Sequence, residues 1–281
     1  MYLSEHLAFV ELHKTGGSHI GRWLAKTVPG EQVGKHNRLP EAHQGKFVIG
    51  SVRNPWDWYV SLWAYGCSSR GSVWRQTIDA PNLNYYRSSL HNEMGQPPGL
   101  VRIIRQWLND RKKPRDAWLN TYTNVDDPKG FRQWLGMIMD AKRALDVREG
   151  YGFSTLPGTS GLMTYRYLKL FTNIGCRLYE RPGHDVLRPE QTFEQFGFID
   201  DFVRMENLEP DLVAAIRKSG FTLTREQESA ILASSKKKTN TSERRPVGFY
   251  YDAETLALVA RREAFVIERH GYEPPELVRL A

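Results

Sequence analysis

The chain has few cysteines, no long apolar run and no phosphate loop of the commonest kind, and each absence narrows what it can do. Two cysteines, Cys67 and Cys176, supply neither a disulfide framework nor a metal-ligand set. Their scarcity fits a reducing compartment. No stretch of about 18 apolar residues occurs, so no membrane-spanning helix is expected. No basic region followed by an apolar core opens the chain, so no secretory leader is expected either. A cytoplasmic enzyme is the expectation, and a luminal catalytic domain without its anchor would read the same way. No Gly-Lys-Ser/Thr triplet stands at Walker spacing, which disfavours an ATP or GTP phosphate loop of the usual form. There is no internal repeat, no clear inter-domain linker and no metal-ligand spacing.

What is present describes a folded α/β protein. The 281 residues can bury a sizeable core, and aromatic residues are plentiful. A formal charge of +7 and a pI near 9.3 point to an anionic ligand or partner, without requiring a nucleic acid. The pattern centres on residues 8–24. A short apolar run, Leu7 to Val10, reads as a buried strand, and Ile20, Trp23, Leu24 and Val28 recur at helical spacing. Between them stands Lys14-Thr15-Gly16-Gly17-Ser18. Adjacent glycines let the backbone turn sharply, and a helix start beyond them offers unpaired N–H donors and a positive dipole end. Strand, Gly-rich turn and helix N-terminus together suit a phosphate-like anion. The simpler reading is a helix capped by Ser18 after an ordinary turn.

A second strand is predicted around Gln32 to His36, with His36 at or just past its end. Lys46 to Val52 reads as a buried parallel strand and leads into Arg53-Asn54-Pro55-Trp56-Asp57-Trp58. Pro55 suits a first helical turn that Asn54 could cap, with Val60, Trp63 and Ala64 facing inward. Amphipathic helices are expected over Leu100 to Leu108 and Phe131 to Leu145, and the charged run Asp110 to Arg115 reads as a solvated turn. Phe198 to Met205 reads as a strand, followed by a helix from Pro210 to Lys218. The basic stretch Ser234 to Val247 is either a surface loop or an element that closes over an anionic cofactor. One helix is expected from Asp252 to His270, stopped at Gly271. Strands alternating with helices place the ends of the Lys14 and Arg53 strands, and His36, where α/β sheets bind ligands.

Four features in order resemble a family. Lys14-Thr15-Gly16-Gly17-Ser18 after a strand, and Arg53-Asn54-Pro55 with Ser61 beyond it, resemble the two cofactor signatures of sulfotransferases that use 3′-phosphoadenosine 5′-phosphosulfate. Asp201 to Leu208 is similar to a strand-and-turn segment of the carbohydrate and membrane-associated type. Asn240-Thr241-Ser242, Tyr250 to Thr255 and Gly271-Tyr272 resemble that type's C-terminal region. The resemblance implies a P-loop-like three-layer fold with a central, mostly parallel sheet flanked by helices. It also implies a single domain over 1–281, with 66–172 a mainly helical insertion on the acceptor side. By the same resemblance the cofactor would be held by Lys14, Thr15, Gly16, Gly17, Ser18, Arg53, Ser61, Asn240 and Ser242, with Arg53 and Ser61 on its 3′-phosphate. Trp58 departs from the family, which often carries a basic residue there. Lys236 to Lys238 or Arg244 are the candidates to replace that charge.

Sulfuryl transfer to a hydroxyl needs a cation beside the leaving oxygen and a general base. Lys14 is the candidate cation and His36 the candidate base, with Glu11 the runner-up, and no metal is required. His13 is set aside because strand alternation would turn it away from Lys14, and His19 because it falls inside the helix. Glu206 is expected to order the turn after its strand. The expected acceptor is a hydroxyl of a glycan, a lipid-linked or a small molecule, with Trp74, Tyr85, Tyr86, Arg105 or Tyr151 as candidate contacts. Two other functions stay open, a nucleotide-dependent phosphotransferase and a basic polyanion-binding adaptor.

Overall fold

The computed structural model describes residues 1–80, 86, 100–179, 188–234 and 244–278. Tyr85, Lys236 to Lys238, Asn240 and Ser242 lie outside the described residues. In chain order the regular elements begin with β1 (Tyr2–Ser4), β2 (Leu7–Val10), α1 (Gly17–Thr27), β3 (Gly30–Gln32) and β4 (Phe47–Val52). There follow α2 (Pro55–Cys67), α3 (Ser72–Ile78), α4 (Leu100–Lys112), α5 (Arg115–Leu119), α6 (Pro128–Met139) and α7 (Leu162–Phe171). The last are α8 (Pro189–Phe196), β5 (Asp201–Arg204), α9 (Leu208–Lys218), α10 (Arg225–Ala233), α11 (Val247–Tyr250), α12 (Ala253–Arg262) and α13 (Ala264–His270).

The fold is α/β, built on a mixed, mostly parallel five-stranded sheet of order β3-β1-β2-β4-β5. β2, β4 and β5 pair in parallel, and β1 runs antiparallel to both β2 and β3, so β1 alone opposes the common direction. Three-residue β1 is too short to announce itself by a sequence period. The strand expected near His36 is the earlier Gly30–Gln32, and it pairs with β1 at the sheet edge. β5 is likewise shorter than the Phe198 to Met205 run, since pairing starts only at Asp201 and a 3₁₀ turn begins at Met205.

The chain forms two compact units. The first comprises 1–54, 166–173 and 188–241 and contains the whole sheet. Alternation along its strands sends Tyr2, Leu7, Phe9, Ile49 and Val203 into one core with Ile20 and Leu24 of α1, Leu212 and Ile216 of α9, and Ile231 of α10. Each such aliphatic residue contributes about 1.5–3 kcal/mol on full burial. Phe202, next to Val203 and so on the opposite face, meets Tyr167, Phe171 and Phe193 of α7 and α8.

The second unit comprises 55–165, 174–187 and 242–281, and its regular elements among the described residues are helical. Trp63, Phe131, Trp134 and Tyr250 meet edge to face or tilted at centroid separations of 5.5–6.2 Å. The buried indoles keep hydrogen-bond partners: Trp63 donates to the Thr121 carbonyl at 2.8 Å and Trp134 to the Tyr122 hydroxyl at 2.6 Å. The charged run at the end of α4 is no solvated turn. Asp110 and Lys113 are buried and pair at 2.9 Å, and Arg148 reaches the same carboxylate at 3.3 Å. Only Arg111 and Lys112 stay exposed, since helical geometry turns them away from that pair.

The expected C-terminal helix is two helices, α12 and α13, meeting at Glu263. Asp252 caps α12 through a reciprocal bond with Thr255, and Gly271 ends α13 in the left-handed conformation at φ 62°. Glu263 is fully buried and caps another helix. Its carboxylate accepts from the N–H groups of Met163 (3.1 Å) and Thr164 (2.8 Å), the Thr164 hydroxyl (2.6 Å) and the Tyr59 hydroxyl. The Met163 and Thr164 donors belong to the first turn of α7, where orphan N–H groups and the helix dipole favour an anion, and Tyr59 reaches in from α2. Burial nevertheless outweighs the hydrogen bonds and raises the Glu263 pKa above its ordinary value.

Glu263→Ala would strand these donors, and urea denaturation at pH 7 should show a loss of at least ~3 kcal/mol. Glu5→Ala, at an exposed turn, should fall within ~0.5 kcal/mol of wild type. A carboxyl with a raised folded pKa holds its proton longer in the folded state. Its contribution to stability therefore weakens as pH rises from the unfolded value of 4.5 through the folded one. Glu263→Gln should remove that component from the slope of stability against pH.

Candidate functional site

In a parallel array the ends of successive strands arrive on one side. Val10 pairs with Gly50, and Val52 with Arg204, so the segments after β2, β4 and β5 carry Lys14, Arg53 and Glu206 to one edge. Glu206 does order its turn, accepting the Asn54 N–H at 2.7 Å. Arg53 is buried and its guanidinium donates to the Lys14 carbonyl at 3.1 Å. The cation ending β4 thus holds the loop that follows β2.

That loop is held in an unusual backbone shape. Lys14 has φ 62° and Gly16 φ 80°, two left-handed residues in three. For a lysine this costs roughly 1–2 kcal/mol, and such strain collects where the surrounding structure holds a ligand loop. Gly16, not Ser18, is the N-cap of α1, without a side-chain cap bond. Ser18 lies in the first turn instead, and its hydroxyl accepts from Lys35 Nζ at 2.9 Å. Thr15 is fully buried: its hydroxyl donates to the Leu12 carbonyl at 2.7 Å and meets Ser51 Oγ at 2.6 Å. It braces the loop against β4 rather than turning outward. Ser51 has a legible signal, the one hydroxyl in the buried run Phe47 to Val52.

Neither glycine leaves room for a side chain. A Cβ on Gly16 would lie 2.5 Å from Leu208 Cδ1, and one on Gly17 would lie 2.8 Å from Glu11 Cβ. Among the described residues, no acceptor meets the N–H groups of Gly16, Gly17 or Ser18. Successive N–H groups at a helix start, with Lys14 beside them, form a nest for an anion. These residues fit a bound phosphate or sulfonate oxygen.

His36 stands at φ 55°, four residues past β3, on the same loop cluster. Its Nδ1 lies 3.1 Å from the Glu11 carbonyl. A carbonyl only accepts, so Nδ1 carries the proton and the basic lone pair of the neutral ring is on Nε2. His13 stacks on His36 with centroids 3.6 Å apart. β2 ends at Val10, so the alternation that would turn His13 away does not extend to it. His19 lies inside α1 as expected, 3.4 Å from Glu209, with its pKa lowered chiefly by burial. Glu11 lies past the strand, buried, 3.4 Å from the Met1 ammonium.

Ser61 lies on α2 in the second unit and is buried there. In the same unit Arg244 is bonded to Asp57 of the first turn of α2, and its other terminal nitrogen, Nη1, is buried with no acceptor among the described residues. Of the candidate acceptor contacts, Tyr151 is a core residue donating to the Ser160 carbonyl at 2.8 Å, and Tyr86 donates to Asp110 at 3.0 Å. Trp74 is half-buried on α3, and Arg105 is exposed on α4. Cys67 is no nucleophile, since burial pushes its thiol pKa up to about 12.

Gly16→Ala meets both the positive φ and Leu208. It should lower stability by ~1–2 kcal/mol and weaken pyrophosphate binding at least ~10-fold by calorimetry. Undiminished binding would show that the loop is not the anion site.

No protein-family model, curated protein or solved structure matches this chain.

Proposed function

We propose that the chain is a sulfotransferase acting on a hydroxyl of a glycan, a lipid-linked or a small-molecule acceptor. The observation that carries this reading is the 14–18 loop. Its N–H groups at Gly16 to Ser18 meet no described acceptor, Lys14 stands beside them, and Arg53 holds the loop from the next parallel strand. On this reading the first unit is a three-layer, P-loop-like sheet domain. Residues 66–172 would be the mainly helical insertion that serves the acceptor.

When bound, 3′-phosphoadenosine 5′-phosphosulfate would supply an activated sulfuryl group and leave as 3′-phosphoadenosine 5′-phosphate. Gly16, Gly17 and Ser18 would hold its 5′ end through their N–H groups, and the Lys14 ammonium would balance negative charge there. The forked guanidinium of Arg53 suits a phosphate dianion. His36 Nε2 would take the acceptor hydroxyl's proton, with the ring oriented by the Glu11 carbonyl and by stacking on His13. Thr15 serves as a brace. Ser61, Asn240 and Ser242 enter on the resemblance alone, as do Lys236 to Lys238 or Arg244 as replacements for the cation missing at Trp58.

Calorimetric titration with 3′-phosphoadenosine 5′-phosphate should give binding at least ~10-fold tighter than ATP, and Arg53→Ala should lose ~10²-fold. His36→Ala should keep that binding and lose ~10²–10⁴-fold in sulfuryl transfer. Tighter binding of ATP with Mg²⁺ would instead favour a phosphotransferase. Failure to bind either nucleotide would leave a polyanion adaptor.

A further inference from the structure

Helix α4 is amphipathic with its faces reversed. Gln106 and Asp110 are 6% and 1% exposed, whereas Val101, Ile104 and Leu108 are 74%, 47% and 45% exposed, with Trp107 at 42%. The most buried residues are polar and hydrogen-bonded, with Ile103 half-buried beside them. Gln106 donates to the Leu145 carbonyl at 3.0 Å, Asn109 to Asp146 at 2.9 Å, and Asp110 pairs with Lys113 and Arg148. Those bonds fix the rotation of the helix, so its apolar residues cannot turn inward.

At 100° per residue, Ile104, Leu108 and Val101 form one continuous outward stripe. Trp107 and Arg111 flank it on one side, with the Arg111 guanidinium 4.8 Å above the Trp107 ring. Arg105 and Lys112 flank it on the other, both exposed. The helix's only acid, Asp110, is the buried one, so every charge on the outward face is positive.

We propose that this face of α4 docks on an anionic lipid surface. An apolar stripe with cations along both borders and an aromatic ring at its edge matches the chemistry of an acyl–headgroup boundary carrying negative charge. A polyanion such as nucleic acid would use the cations and leave the apolar stripe unexplained. A second copy packed about a two-fold axis would set the same cations against one another. The proposal is independent of the transferase reading, because it concerns binding to a surface and not turnover.

The test is co-sedimentation of the full chain with sucrose-loaded vesicles of phosphatidylcholine alone, or with about 30 per cent phosphatidylserine, near 0.1 M salt. Binding should require phosphatidylserine. It should fall at least ~10-fold in Ile104→Ser/Leu108→Ser, which removes the apolar stripe, and in Arg105→Glu/Lys112→Glu, which reverses the border charge. All four positions are exposed and only Arg105 makes a ring contact, 6.0 Å from the Phe153 centroid, so both variants should unfold within a few degrees of wild type. Any of four results would overturn the proposal. These are no sedimentation with either vesicle, binding indifferent to both variants, heparin binding without vesicle binding, or a dimer that Ile104→Ser/Leu108→Ser dissociates.

Discussion

Between β2 and α1 the backbone passes through a space with no room for a side chain, and the character of the first unit depends on that fit. Leu208 and Met205 close on Gly16 from one direction, and Glu11 closes on Gly17 from another. A side chain at either position would run into these neighbours, so the loop passes only as glycine. Arg53 and the Thr15–Ser51 pair hold the loop to β4, so its shape is imposed by the sheet. Were the loop to hold an anion as proposed, a shape imposed in this way would need little reorganisation on filling.

The second unit has its own constraint, a carboxylate with no access to water. Glu263 is tolerated because α7 begins on top of it and supplies N–H donors where a helix most needs an acceptor. The same residue interrupts the C-terminal helix. One buried charge thus sets the start of one helix and the junction of two others. Aromatic packing around Trp63, Phe131 and Trp134 supplies the apolar area, and Glu263 helps specify which arrangement of helices that area adopts.

Charge is distributed by the same logic of burial. The run Asp110 to Arg115 has the composition of a surface turn, yet Asp110 is the acceptor that draws Lys113 and Arg148 inward. With its only acid buried, α4 presents cations and apolar side chains to the outside.

Much was legible in the residue order. Leu7 to Val10 and Phe47 to Val52 are short, mostly apolar runs that read as buried strands, and the glycines after the first mark where the chain turns into a helix. Asp252, Thr255 and Gly271 marked helix ends because capping is local chemistry. What depends on distant partners was not legible. Ser18 looked like a cap until Gly16 took that position, and β1 was too short to carry a period. The pairing of His13 with His36, the partners of Asp110 and the task of Glu263 are all made by residues many positions apart. Sequence alone determined that this is a basic α/β chain with a Gly-rich turn between a strand and a helix. Only the tertiary structure decided which side chains brace that turn, because hydrogen-bond partners and burial are properties of the packed neighbours and not of the residue.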